Sequence, residues 1–251
     1  MNNNDSPNKR QASSQFLDIT IDLDTISMII HRIGHDIGNP LTSIISLASI
    51  IEKFSDPRFN SLDPAKLSSY AGTISNEAWK ISRLSECLVH TLSQRTSQLQ
   101  VIKLEDLIDR ALSKIETLFS KHENIEVALD IPQELEAMGE QDQLIFAISE
   151  VIRNAFQACI EFQFNKISIK AEKVDCYCKI TCSNQIPSQI EGELSDLLLP
   201  LVSQFKKIST PGLGLHTVAS VLKRLDGYCE IEEIDGKEFR INLYVKANGD
   251  N

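Results

Sequence analysis

Three short stretches of the chain hold side chains whose type and spacing suit phosphorus chemistry. The first is His35-Asp36, followed by Asn39-Pro40. Ile33 and Ile37 belong to an apolar stripe, and His35 lies two positions from each, about 200° round a helix, so it faces outward. Asn39, four residues on, shares that exposed face. An exposed imidazole beside a carboxylate can attack a phosphorus centre: the carboxylate fixes the tautomer and takes the proton of one ring nitrogen while the other is phosphorylated. Pro40 cannot donate to the carbonyl of Asp36, which predicts a kink just after the histidine. His31, one turn earlier on the same face, reads either as a supporting group or as an ordinary exposed residue. The second stretch pairs Glu150 with Asn154 at i and i+4, two hard oxygen donors on one helix face, as Mg²⁺ requires, although such a pair also forms the wet side of many helices. The third is Pro211-Gly212-Leu213-Gly214-Leu215, running into a helix that begins near Thr217. Its glycines let the backbone approach a phosphate, and the helix N-terminus behind them offers free N–H groups.

The elements that must position these groups can be read from periodicity. From Ile26 the apolar positions run Ile26, Ile30, Ile33, Ile37, Leu41, Ile44, Ala48 and Ile51, in steps of 4 and 3. That is a helical seam with one local stutter. Asp56-Pro57 interrupts it, and Asp63-Pro64 restarts a helix with an N-cap residue and proline at the first position. A second seam follows through Leu67, Ala71, Ile74, Ala78, Ile81, Ser85, Leu88 and Leu92. Two such helices form an antiparallel hairpin, and stripes of this length predict that two hairpins pair as a four-helix bundle, making a homodimer. After Gln100 the pattern turns mixed. Leu104–Phe119 and Leu144–Ile160 read as helices, 125–131 as a strand, 166–181 as two strands, 217–225 as a short helix and 228–245 as a closing hairpin. The expected class is α+β: the helical hairpin over 21–98, then an α/β sandwich over 99–251 with helices on one face of a mixed sheet. Residues 1–20, polar and without periodicity, are expected to be a disordered tail.

Composition narrows the function classes. The chain has 251 residues, with 25 Lys and Arg against 35 Asp and Glu, and a formal net charge of −10. This acidity argues against a nucleic-acid partner. No apolar run approaches the roughly 18 residues of a membrane span, and the polar start holds no secretory segment, so the chain is expected in the cytoplasm. The six cysteines are scattered without a CxxC pair, which predicts reduced core thiols, not a zinc site or a disulfide framework. Cys176, Cys178 and Cys182 share a parity, as residues on one face of a hairpin do.

The string His35-Asp36-Ile37-Gly38-Asn39-Pro40-Leu41-Thr42 resembles the H-box of two-component sensor histidine kinases, which opens the first helix of a dimerisation hairpin. By that resemblance His35 is the phosphoacceptor, Asp36 the general base, and Asn39 the residue that positions water for dephosphorylating a response regulator. Glu150-Val151-Ile152-Arg153-Asn154-Ala155 resembles the N-box of the same family, which implies Asn154 as a Mg²⁺ ligand. The segment Pro211–Leu215 resembles its phosphate-binding G2 box, with Thr210 where the first glycine usually stands. The resemblance spans residues 24 to 245 and implies a kinase core that uses ATP and Mg²⁺ to phosphorylate His35 and passes the group to an aspartate of a receiver domain.

One box departs from the pattern. Where the family has Asp-x-Gly-x-Gly, with its aspartate on the adenine amino group, this chain has Cys182-Ser183-Asn184-Gln185-Ile186-Pro187. A lost charged hydrogen bond costs about 1.5–3 kcal/mol, or ~10–150-fold in affinity. Ser183 is expected to supply a weaker contact. Leu198-Leu199-Pro200-Leu201 replaces the family's Phe-x-Pro-Phe, while Lys206 and Lys207 stand near the lid lysine. A second reading therefore stays open: a histidine phosphotransferase or response-regulator phosphatase that works without ATP. A scaffold with no chemistry is a third.

Overall fold

The computed structural model describes residues 9–16, 23–54, 63–92, 98–119, 124–200, 202 and 212–249. They fall into two compact units, one of Ile21–Val89 and one of Met1–Thr20 with His90–Asn251.

The first unit is built on α1 (Leu23–Phe54) and α2 (Pro64–Leu92). α2 starts as its sequence dictates: Asp63 accepts the Ala65 N–H on Oδ1 at 3.1 Å, and its carbonyl accepts the Leu67 N–H at 3.0 Å. One orphan donor of the first turn is thereby satisfied, with Pro64 at the position where no N–H is needed. α1 runs on through Pro40. Of its seam, Ile33 is buried, whereas Ile30 remains 64% and Leu41 45% exposed. Leu67 and Trp79 on α2 are exposed as well. A single hairpin thus leaves much of its apolar stripe uncovered.

The second unit is a six-stranded mixed sheet in the order β1-β7-β8-β6-β5-β3 and a two-stranded sheet of β2 and β4. Its strands are β1 (Lys9–Ser13), β2 (Gln100–Lys103), β3 (Glu126–Asp130), β4 (Glu136–Gly139), β5 (Lys166–Val174), β6 (Tyr177–Gln185), β7 (Tyr228–Ile234) and β8 (Glu238–Lys246). Among the described residues only β3 and β5 pair parallel. Three helices complete it: α3 (Leu104–Phe119), α4 (Gln141–Phe162) and α5 (Gly214–Arg224). α4 contacts α3, α5 and the strands β5 and β6, which explains why most of its length is buried, the apolar Leu144, Ile148 and Ile152 together with the charged Glu150 and Arg153. On β6 the buried positions Cys178, Ile180, Cys182 and Asn184 alternate with half-buried ones. Cys182 interacts with Cys159 of α4, so this parity is the helix-facing side of the strand. Burial pushes the Cys182 thiol up to about 12. The six cysteines are free, and all are buried except Cys176, which is half-buried at the β5–β6 turn.

The last residues of α2 belong to this unit. The His90 ring stacks on Phe146 with centroids 4.0 Å apart, Thr91 and Thr217 share a hydroxyl hydrogen bond of 2.9 Å, and Arg224 donates to the His90 carbonyl.

Several expectations need correction. Residues 9–16 are not part of a disordered tail: Lys9–Ser13 pair antiparallel with β7 from Lys9↔Ile234 to Ser13↔Glu230, and Ser14–Phe16 form a 3-10 turn. Without them β7 would be a bare sheet edge with unpaired N–H and C=O groups. A strand of Lys, Arg, Gln, Ala and Ser has no apolar alternation to betray it. The compact helical unit closes at Val89, not at residue 98. α5 begins at Gly214, three residues before the expected start, and β6 extends through Gln185, so Cys182–Gln185, read as the decayed loop, is strand.

Candidate functional site

The helical unit assembles four polar side chains on one face of α1. The His35 side chain is 64% exposed and its Nδ1 lies 3.2 Å from Asp36 Oδ1. The other carboxylate oxygen, Oδ2, accepts from Arg32 Nε at 3.1 Å across one helical turn. Asn39 places its amide nitrogen 3.3 Å from both ring nitrogens. Asp36 is itself largely covered, at 17% side-chain exposure, so it is held between the guanidinium and the imidazole. With Nδ1–H donated to Asp36, Nε2 carries the lone pair, and the long contact from Asn39 is readily displaced. The three residues named from the sequence, His35, Asp36 and Asn39, are thus brought together. Arg32 was missed, although its i,i+4 spacing to Asp36 was a legible signal. His31 is exposed with the others.

In the second unit the expected residues do not all present themselves. Asn154 is half-buried on α4 and fits an oxygen ligand that a cation can reach. Glu150 does not: it has none of its surface exposed and forms an ion pair with Arg153, Nε to Oε1 3.1 Å. Its carboxylate is neutralised within the helix layer and is not offered to a metal or nucleotide. Glu150 and Arg153 share a helix face at i,i+3, which the sequence reading passed over in favour of Asn154 at i,i+4. Among the described residues no group of three or more His, Cys, Asp and Glu could hold a metal.

The described part of the glycine segment runs into the start of α5. Gly212 has φ +67, a left-handed conformation that side chains disfavour, and Gly214 is the first residue of α5. Leu213 precedes that helix without a side-chain cap hydrogen bond among the described residues. Behind them His216 is buried, with Nδ1 3.1 Å from the Leu198 carbonyl. Burial lowers its pKa, so the ring is neutral at pH 7 and donates to Leu198, joining the 3-10 turn Leu194–Leu198 to the first turn of α5. Ser183 needs correction too. It has the opposite parity on β6 from Cys182, on the side away from α4, while Asn184 faces the helices at 6% exposure and donates its amide to the Gln185 carbonyl at 2.9 Å. Strand parity, hidden until β6 was seen to run through Gln185, makes Asn184 the polar group on the helix-facing side. Lys206, Lys207 and Thr210 lie outside the described residues.

Residues 140–246 match the GHKL domain family. Over 219 residues, 86% of its length, the chain is 24% identical to the sensor histidine kinase ZraS of Escherichia coli O157:H7, and it spans 45% of that protein, about half its length. In fold it is similar to the Acinetobacter baumannii histidine kinase AdeS, with TM-score 0.62, 15% identity and coverage of 86% of this chain and 98% of that one. It is also similar to the histidine kinase ThkA as seen in complex with the response regulator protein TrrA, with TM-score 0.63, 19% identity and coverage of 89% and 63%. The architecture, a helical hairpin followed by an α/β sandwich, is the fold of these solved histidine kinases. Among the described residues no helix is long and apolar enough to cross a membrane.

Proposed function

We propose that this chain is the phosphotransfer and nucleotide-binding core of a two-component histidine kinase, with His35 as the phosphoacceptor. The observation that carries the reading is the exposed His35 ring, with Nδ1 on Asp36 and Asn39 on the same face. Asp36 holds the Nδ1 proton and accepts it as Nε2 becomes bonded to phosphorus. Arg32 keeps the carboxylate turned toward the ring. When bound, Mg²⁺ and ATP supply the phosphoryl donor; Asn154 would hold the cation, and the Gly212–Gly214 backbone with the α5 N-terminus would hold the phosphates. The phosphoryl group then passes to an aspartate of a response regulator receiver domain, and Asn39 orients the water that later removes it. The exposed seam residues Ile30 and Leu41 support a homodimer in which a second hairpin covers them. We place the protein in the cytoplasm, with no nucleic-acid partner.

A specific observation favours a second reading. The helix-facing end of β6 offers the neutral Asn184, its amide already tied to Gln185, where a carboxylate would grip adenine. A chain so altered could carry phosphate through His35 without ATP, as a phosphotransferase or phosphatase. Titration of the chain with Mg·ATP in a calorimeter separates the two. The kinase reading expects saturable binding, tightened about 10–150-fold in Asn184→Asp as a charged hydrogen bond is restored. No binding by either form would leave only the ATP-independent reading.

A further inference from the structure

β7 carries the acidic run Glu230-Ile231-Glu232-Glu233 on what would be the edge of the main sheet. Glu232 and Glu233 point to opposite faces, yet both are buried, at 5% and 2% exposure. Each meets one of two successive cations of β1. Lys9 Nζ lies 2.8 Å from Glu232 Oε1, and Arg10 Nη1 lies 3.0 Å from Glu233 Oε2, directly across the ladder. Leaving a buried carboxylate without its cation is unfavourable, and although Lys9 and Arg10 are themselves part-exposed, this edge favours a basic strand in one register. Ser14 closes the pairing by accepting the Cys229 N–H at 2.9 Å.

Arg10 reaches further. It donates to the carbonyls of Ile190 and Gly192, while Glu233 Oε2 accepts the Ile190 N–H at 3.0 Å. The stretch so pinned leads into the 3-10 turn Leu194–Leu198, whose last carbonyl receives the His216 hydrogen bond at the start of α5. A continuous line of contacts therefore runs from the N-terminal strand, through 190–198, to the helix end that would hold phosphate.

We propose that Lys9–Ser14 is a detachable basic strap seated on the acidic edge of β7, and that its seating governs how firmly the 190–198 segment and the first turn of α5 are held. The site's occupant is this chain's own segment ahead of α1, so a signal acting on that segment would reach the second unit directly. The effect on nucleotide rests on the reading of α5 as the phosphate end.

Hydrogen exchange on the full chain tests it, using Arg10→Glu alone and the charge swap of Arg10→Glu with Glu233→Arg. In the single variant the Ile190, Ile231 and Thr217 amides exchange roughly 10–150-fold faster, and the swap, which re-seats the strand but removes the Glu233 acceptor of Ile190, restores Ile231 to within about threefold while Ile190 stays fast. Should Arg10→Glu fail to fold, Arg10→Gln, neutral and milder, is read on the same amides. Unchanged exchange at Ile190 and Ile231 would overturn the strap. Faster exchange there with Thr217 unchanged would overturn its link to α5. Mg·ATP affinity, measured on the same proteins, is expected to fall in Arg10→Glu and to stay low in the swap, which leaves the 190–192 contacts unmade. Absence of binding in the unmodified chain would defeat the nucleotide reading, while the exchange data, taken without nucleotide, still decide the strap.

Discussion

His35 and Glu150 each stand on a long helix beside an ionisable neighbour, and they have opposite fates. The His35 side chain is 64% exposed with Asp36 at 3.2 Å; Glu150 has no exposed surface and is locked to Arg153 at 3.1 Å. The same local grammar leaves a pair open to solvent on a helix that turns a face to water and encloses one as scaffolding where neighbours pack over it. An exposed pair is screened and contributes little to stability, so its groups are free to react. A buried pair is held by the cost of leaving either charge alone.

The largest effect expected follows from that contrast. Glu150→Ala breaks a buried ion pair and should cost about 3–5 kcal/mol in urea unfolding. Asp36→Ala should cost under about 1 kcal/mol while removing His35 phosphorylation. Equal small losses from both would break the comparison and return Glu150 to the list of accessible ligands. Next in size, Asp63→Ala removes the α2 cap and should cost about 1 kcal/mol in the helical unit. Gly212→Ala puts a side chain at φ +67, costs a similar ~1–2 kcal/mol in the second unit, and should weaken phosphate binding. Thermal unfolding of each variant reads both values.

The smallest effect is a pH slope. Burial lowers the His216 pKa, so below about 6.5 the unfolded chain binds a proton that the folded chain resists. Stability from this group is full above that pH and lost as pH falls from there toward the folded pKa. His216→Gln should be slightly less stable at pH 7 but decline less steeply between about pH 6.5 and 5. Parallel curves for the two proteins would place the ring in water.

How much was legible varies by element for physical reasons. Helical spacing fixes which residues share a face, so His35, Asp36 and Asn39 could be joined from sequence, and α3 was bounded correctly. Strand parity is just as strict but needs the register. With β6 taken to end early, Ser183 and not Asn184 was chosen, and the pairing of β6 with β8 through Gln185↔Glu238 reversed that choice. Burial of a charged residue depends on what folds over it, which no local pattern in Glu150–Asn154 reveals. β1 escaped because its partner lies more than two hundred residues away and its matching signal is charge, Lys9 and Arg10 against Glu232 and Glu233, not hydrophobic alternation.

The central claim is that one exposed imidazole carries a phosphoryl group. The most direct measurement is to incubate the chain with Mg·ATP, or with a phosphorylated receiver domain, and map acid-labile phosphate by mass spectrometry at alkaline pH. The account predicts phosphate on His35 and none in His35→Gln, with both proteins equally folded. Phosphate at another residue, or labelling of the variant to the same extent, would contradict it.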